Sequence, residues 1–270
     1  MKVLKILILF KFFLFNINQS HSDENLFNDI KGCFCEGGFI FGRVGDSVVK
    51  VDNVLQNISN DGYFIYAFTR KFKESVQVEI NKEIKKFDIK KKKYLIERIN
   101  NLPSGKVTPS KENIKKIIKD KERINQAKKL GVNERLFGQN FLIPVKGRIS
   151  GIYGSQRVLN GKPKRPHYGL DIAAKTGSKV FSPTDGVIKL VDNDMFYTGK
   201  TIIIDHGLGV ISIYAHLNQI NVKEKQIVKR GEVIGHVGKT GRATGPHLHW
   251  GVYIKDRPVD PQIILDEIFD

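Results

Sequence analysis

The hydrophobic positions of this 270-residue chain fall into short runs separated by glycine and by Asn-Asp or Asn-Lys pairs. Between residues 37 and 98, turn residues punctuate four such apolar runs, at 38–44, 47–51, 62–68 and 76–80. Short strands at this spacing predict a small β-sandwich-like module over residues 37–98. The preceding residues 23–36 are polar, and we predict a flexible N-terminus there.

One segment has a helical period instead. Apolar side chains recur at helical spacing from Ile114 to Ala127, and every other face of the segment is charged. Thr108-Pro109 supplies a hydroxyl N-cap followed by proline, and Gly131 provides a stop. The sequence predicts a helix from about Pro109 to Leu130 inside a helical linker, residues 99–136, that packs on a neighbouring domain. A membrane-surface role is the weaker alternative, because the apolar stripe is narrow and lacks Trp or Phe.

The second half of the chain, residues 137–266, has a pattern typical of nearly all-β domains. Apolar runs at 188–191, 201–205, 210–217, 232–237 and 247–254 are separated by glycines. The predicted fold class is therefore mainly β, with an antiparallel-sheet domain over residues 137–266 joined by the linker helix to the small N-terminal module.

The first residues of the chain resemble an export signal. Lys2, Lys5 and Lys11 lie in an otherwise apolar start, and small residues flank His21 before Asp23. This predicts a signal peptide over residues 1–22 and export to the periplasm or cell envelope. An uncleaved anchor, which would hold the protein at a membrane, is the alternative.

The net charge of +17, from 45 Lys and Arg against 28 Asp and Glu, favours an anionic partner or a lysine-rich surface. Export argues against nucleic acid as that partner. The basic run from Lys82 to Lys93 is interpreted as a lysine-protected edge strand, and gripping an anionic polymer is the alternative. Cys33 and Cys35 have one residue between them. We interpret them as incidental thiols, because a bridge at this spacing is strained and two thiols make a poor closed zinc site.

Three segments carry histidines that could do chemistry. Because side chains on a strand alternate, His247 and His249 share one face while Leu248 and Trp250 point into the core. The second segment, Pro166 to Asp171, offers an imidazole and a carboxylate, both good zinc ligands. The third is Tyr-Ala-His-Leu, residues 214–217, on a strand where Ala215 is expected to face away from the histidine. Each segment alone also fits a surface histidine or a hydrogen-bonded pair in a loop.

The combination is more specific than its parts. The ordered set His-x3-Asp, Tyr-Ala-His-Leu and Thr-Gly-x-x-Thr-Gly-Pro-His-Leu-His resembles the lysostaphin-type (LytM-like) zinc endopeptidases. The resemblance covers roughly residues 147–261. Its further motifs lie at 147–154, 167–174, 177–180, 185–188, 228–235 and 259–261.

The resemblance implies a role for each matching residue. His167, Asp171 and His249 occupy the positions of the ligands to one zinc ion, and His216 and His247 those of catalytic residues. All five are present, whereas some members of the family lack ligands and act as regulators. The implied chemistry is hydrolysis by zinc-activated water, assisted by the two catalytic histidines; which of them is the base stays open.

The implied substrate is the peptide part of bacterial peptidoglycan. The N-terminal half resembles two-module periplasmic members, which favours the D-Ala–diaminopimelate bond over glycine bridges. The rival interpretation is a non-hydrolytic wall-binding regulator of another cell-wall hydrolase, and other cell-wall enzymes are the further candidate partners. A last expectation is that residues 23–135 partly cover the groove beside His247, so that a fragment starting near Asn133 cleaves faster than the full mature chain. The alternative is that the N-terminal module only positions the enzyme or recruits a partner.

Overall fold

The computed structural model describes residues 26–101, 109–129 and 131–269. The predicted signal peptide, residues 1–22, lies outside this part of the chain. Within the described ranges, no helix has the length and apolarity needed to cross a bilayer. The described chain is mainly β with antiparallel sheets, as the hydrophobic pattern predicts.

The elements follow one another in two groups. The first group contains a 3-10 helix (Leu26–Asp29), β1 (Lys31–Gly32), β2 (Phe39–Arg43), β3 (Val49–Val51), β4 (Val54–Leu55), β5 (Tyr63–Ala67), β6 (Ser75–Ile80), β7 (Glu83–Asp88), β8 (Ile96–Ile99) and the helix α1 (Lys111–Ala127). The second contains β9 (Arg148–Gly151), β10 (Gln156–Leu159), β11 (Lys162–Pro163), β12 (Leu170–Ala173), β13 (Lys179–Phe181), β14 (Gly186–Met195), β15 (Gly199–Asp205), β16 (Val210–Ile220), β17 (Ile227–Val228), β18 (Val233–Val237), β19 (His247–Ile254), β20 (Arg257–Val259) and the helix α2 (Pro261–Asp266).

The N-terminal module consists of two sheets, with strand orders β1-β2-β5 and β4-β3-β6-β7. Alternate residues of β3 and β6 are buried against residues of β2 and β5 such as Ile40 and Phe64. This is the sandwich-like packing that alternation predicts. Strand β7 lies at the edge of its sheet and exposes Lys85 and Lys86, as an edge strand protected by lysines should.

The segment predicted to be flexible is ordered over residues 26–36. Phe27 packs into the core of the module, and the Phe34 ring stacks on Phe87 with centroids 4.4 Å apart. Cys33 and Cys35 form a disulfide rather than two incidental thiols. Their Cα atoms are 5.2 Å apart, inside the range that a disulfide spans. Local composition missed this order because the aromatic partners come from distant strands.

The module does not stand apart from the second domain. The face of β2 and β5 that points away from the sandwich core carries Phe39 and Phe41, and these rings contact Phe269. Phe269, which follows the predicted boundary at residue 266, is 1% exposed and also contacts Phe137. The two parts of the chain therefore share one hydrophobic core.

The main sheet has the strand order β17-β14-β15-β16-β19-β12-β9, and β18 and β20 pair with β16 and β19. One face packs into the shared core. Its members include Leu170, Ile172, Tyr214, Leu248 and Trp250. We call the other face, which carries Ile211, Ile213, Asp171 and His249, the site face.

Helix α1 packs on the site face, since Ile124 and Ala127 contact apolar residues of β14, β15 and β16. Packing of this helix on a domain is as predicted, but its ends differ. Ser110 is the N-cap, with its Oγ accepting from the Asn113 amide at 3.3 Å, so the helix begins after Pro109. Thr108, the predicted cap, is outside the described residues. The helix ends at Ala127, ahead of the predicted Leu130.

Candidate metal-dependent active site

Three side chains on the site face bring one donor atom each to a common point. His167 Nε2 lies 2.9 Å from Asp171 Oδ1, His249 Nδ1 lies 2.8 Å from the same oxygen, and the two nitrogens are 3.0 Å apart. A tetrahedral ion with ligands at about 2.0–2.1 Å would space them roughly 3.3 Å apart. A shift of a few tenths of an ångström thus lets the three donors hold a metal ion. Two imidazoles and a carboxylate suit a first-row metal.

Strand pairing explains why these residues meet. β12 and β19 are antiparallel neighbours, with Asp171 opposite His249 and Ala173 opposite His247. Residues directly opposite each other point to the same side of a sheet, so the acid and both histidines face one way. Gly169 is also required, because a Cβ there would lie 2.6 Å from His249 Cε1.

His167 comes from the loop before β12 and is fixed by backbone groups. Its Nδ1 donates to the Ile152 carbonyl at 3.0 Å, which fixes the ring so that Nε2 lies 2.9 Å from Asp171 Oδ1. The His167 carbonyl accepts from the Gly154 amide at 2.8 Å. Arg70 of the N-terminal module donates its Nε to the Gly154 carbonyl at 2.9 Å. The module thereby supports the loop that carries His167, which no local pattern indicated.

Burial and mutual hydrogen bonds shift the pKa values of all three donor groups. Burial acts to raise the pKa of Asp171, but hydrogen bonds from His167 and His249 outweigh it and hold that pKa far below its usual range. Burial acts to lower the pKa of His167, and the hydrogen bond and charge of Asp171 reverse this and raise it. For His249 burial prevails, so its pKa is lowered. Asp171 is therefore a carboxylate at neutral pH, as a metal ligand must be.

Two further imidazoles lie beside the three donors. The His216 ring is 4.6 Å from that of His247 and 6.2 Å from that of His249, centroid to centroid. His216 Nδ1 donates to the Thr240 carbonyl at 2.8 Å, and His247 Nδ1 to the Gly245 carbonyl at 2.8 Å. Because a carbonyl can only accept, both rings carry a proton on Nδ1, and Nε2 is the nitrogen of each ring left for chemistry. Burial lowers the pKa of His216 to about 4, so this imidazole is neutral at pH 7.

His216 reaches the site by an irregular backbone. Its φ is +61°, in the left-handed region that residues other than glycine seldom adopt. Ala215 lies opposite His249 and thus shares the site face, while Tyr214 and Leu217 belong to the core. The expectation that Ala215 points away from His216 is therefore wrong. The left-handed residue adds one position to the strand, in the manner of a bulge, and turns His216 onto the site face.

The two other histidines within the described residues, His206 and His236, lie away from the three donors. His206 is completely buried, with Nδ1 donating to the Asp185 carbonyl at 2.7 Å and Nε2 2.7 Å from Ser212 Oγ. His236 lies on β18 and pairs with Lys179 of β13. Trp250 is buried in the core, as alternation along β19 predicts.

The aromatic strands of the module dock on the core side of the main sheet rather than beside His247. Within the described residues, no hydrogen bond or ring contact joins residues 26–101 to either His216 or His247. Faster cleavage by a fragment that begins at Asn133 stays a prediction.

Three donor atoms that can hold one metal ion lie on an antiparallel sheet, and two further imidazoles lie beside them. This is the arrangement of a metal-dependent hydrolase. Comparison with known proteins makes this more specific. The family profile of peptidase family M23 matches residues 165–261, and this part of the chain is a peptidase M23 domain.

Known relatives agree with this assignment. Peptidoglycan DD-endopeptidase ShyA of Vibrio cholerae is 40% identical over 124 residues, which cover 45% of this chain and 28% of the relative. DD-carboxypeptidase/endopeptidase Mpg of Neisseria meningitidis is 45% identical over 114 residues, covering 42% of this chain and 26% of the relative. The chain therefore matches under a third of the length of either relative.

A solved structure matches more of the fold. A crystal structure from Pseudomonas aeruginosa, described as peptidase M23, is 29% identical and superimposes with a TM-score of 0.62. The match covers 86% of this chain and 94% of that one. The similarity extends beyond the M23 domain into the N-terminal half.

Proposed function

We propose that this protein is a zinc-dependent endopeptidase that hydrolyses the cross-linking peptides of bacterial peptidoglycan. The observation that carries the proposal is the convergence of His167 Nε2, Asp171 Oδ1 and His249 Nδ1 within 3.0 Å of one another. One relative above is named a peptidoglycan DD-endopeptidase and the other a DD-carboxypeptidase/endopeptidase, which favours the D-Ala–diaminopimelate bond. The same names and the signal-like residues 1–22 support a place in the cell envelope.

His167, Asp171 and His249 would hold the zinc ion. When bound, the ion supplies a Lewis acid that polarises the scissile carbonyl and lowers the pKa of a water molecule. The two imidazoles supply proton transfer. In each ring Nδ1 donates to a carbonyl, so Nε2 is the nitrogen left for proton transfer. Neutral His216 is suited to accept a proton, and His247, 4.6 Å away, to assist the departing amine or the oxyanion.

The deciding experiment measures bound zinc and peptidoglycan cleavage on the same purified preparation. We expect one zinc per chain and release of monomeric muropeptides from cross-linked peptidoglycan. A chelator should abolish both, and zinc should restore both. A chain that binds zinc and peptidoglycan but releases no products would instead fit the non-hydrolytic regulator of another cell-wall hydrolase.

A further inference from the structure

Asp120, an acidic residue of the linker helix α1, makes a hydrogen bond that connects the helix to a turn near the site. Asp120 precedes Ile124 by four residues and Ala127 by seven, so it shares the helix face that packs on the sheet. Its Oδ2 accepts a hydrogen bond from the Phe196 amide at 2.7 Å. Phe196 lies in the turn between β14 and β15, which we call the 196–198 turn.

The 196–198 turn also holds His216. The Thr198 carbonyl accepts from the His216 amide at 2.8 Å. The Tyr197 carbonyl accepts from the Arg242 amide at 3.0 Å, which ties the turn to the loop whose Thr240 carbonyl accepts from His216 Nδ1. The backbone of His216 is thus hydrogen-bonded to the 196–198 turn itself. Its ring is hydrogen-bonded to the loop that the same turn holds through Arg242.

These segments are packed so closely that they must move together. A Cβ on Gly199 would lie 2.3 Å from Thr240 Oγ1, and the Lys200 amide donates to that same oxygen at 2.9 Å. His216 needs this support, because a left-handed backbone in a residue other than glycine costs energy and persists only where its surroundings enforce it. A looser turn would therefore let His216 relax away from His247.

We propose that Asp120 is a positioning residue for His216. Through the Phe196 amide, the linker helix fixes the 196–198 turn and with it the left-handed conformation that places the imidazole at the site. This inference rests on the proposed function for its catalytic consequence. Its structural part, that Asp120 orders His216, stands independently and can be measured without substrate.

The experiment uses the full chain and three variants. Asp120→Ala removes the acceptor, Asp120→Asn removes the charge but keeps a carbonyl acceptor, and Glu122→Ala removes an equal charge from an exposed position of the same helix. For each we would measure zinc content, amide hydrogen exchange at Phe196 and His216, and kcat and KM on a soluble cross-linked muropeptide.

We expect Asp120→Ala to lower kcat by about tenfold or more, since a small misplacement of a catalytic group has effects of this order. KM and zinc content should stay unchanged, and exchange at Phe196 and His216 should accelerate. Asp120→Asn should recover most of kcat, and Glu122→Ala should match the parent protein. Unchanged exchange at His216 in Asp120→Ala, or equal loss in the Ala and Asn variants, would overturn the proposal. A parent chain that binds zinc but cleaves nothing would refute the proposed function, while the exchange result would still decide the role of Asp120.

Discussion

Asp171 and His249 lie directly opposite each other on neighbouring antiparallel strands, and their Oδ1 and Nδ1 atoms are 2.8 Å apart. Strand pairing therefore sets two of the three proposed ligands in place before any metal binds. Because the strands pair through their backbones, loss of one ligand side chain should weaken metal binding but should leave the fold largely unchanged.

The first prediction concerns His249. Its side chain is 20% exposed and lies on the site face, so His249→Ala should remove the metal without unfolding the sheet. We expect loss of bound zinc and of activity with an unchanged circular dichroism spectrum. His236→Ala, on β18, is the matched control and should keep its zinc. Stoichiometric zinc in the His249→Ala protein would refute the ligand assignment.

The second prediction separates catalysis from metal binding. His216→Ala and His247→Ala should retain zinc yet lose on the order of 100-fold or more in kcat, as expected for a lost proton-transfer or oxyanion group. Zinc content and single-turnover cleavage of a muropeptide provide the measurement. If His247→Ala lost its metal while His249→Ala kept it, the two histidines of the pair would have exchanged roles.

The third prediction tests the close approach at Gly169. An alanine Cβ there would lie 2.6 Å from His249 Cε1 and 2.7 Å from the Trp250 carbonyl oxygen. We expect Gly169→Ala to weaken zinc binding and to lower activity, measured by titration with a competing chelator. Gly138→Ala introduces the same methyl group with its nearest atom 3.9 Å away, and it should bind zinc normally. Equal zinc affinity in the two variants would contradict this account.

The sequence predicts the parts of the site that follow a strict period. Alternation along β19 places His247 and His249 together and Leu248 and Trp250 in the core, and the structure has the same arrangement. The left-handed His216 has no such signal. A residue other than glycine in this conformation is enforced by the Thr198 and Thr240 carbonyls, which lie close only after folding.

Errors near the N-terminus have a similar cause. The segment before residue 37 is locally polar, but the Phe34 ring stacks on Phe87. The cysteines on either side of Phe34, Cys33 and Cys35, form a disulfide. The contact between Phe34 and Phe87 joins residues far apart in sequence, and local composition does not encode it.

The fourth prediction is a pH dependence of stability from His206. Burial lowers the pKa of this histidine to about 4, whereas in the unfolded chain it should be near the ordinary 6.5. As pH falls from about 6.5 to about 4, only the unfolded chain gains this proton, so the free energy of unfolding decreases. The contribution is about 3 kcal/mol and is fully present above about pH 6.5. Urea unfolding at several pH values should show a smaller decrease for His206→Gln, and an identical slope would contradict the assignment.

The last prediction tests whether the two parts of the chain share a core. Phe269 is 1% exposed and its ring contacts Phe39 and Phe41 of the N-terminal module as well as Phe137 of the second domain. Phe269→Ala should therefore lower the free energy of unfolding by about 3–5 kcal/mol, the usual cost of emptying a buried aromatic site. Ile268→Ala is the neighbouring control; this side chain is 50% exposed, and its loss should cost at most about 0.5 kcal/mol. Because Phe269 joins both parts, the Phe269→Ala protein should still unfold in one transition, at a lower urea concentration. Loss of the N-terminal module alone, in a separate early transition, would mean that the module and the M23 domain are independent units.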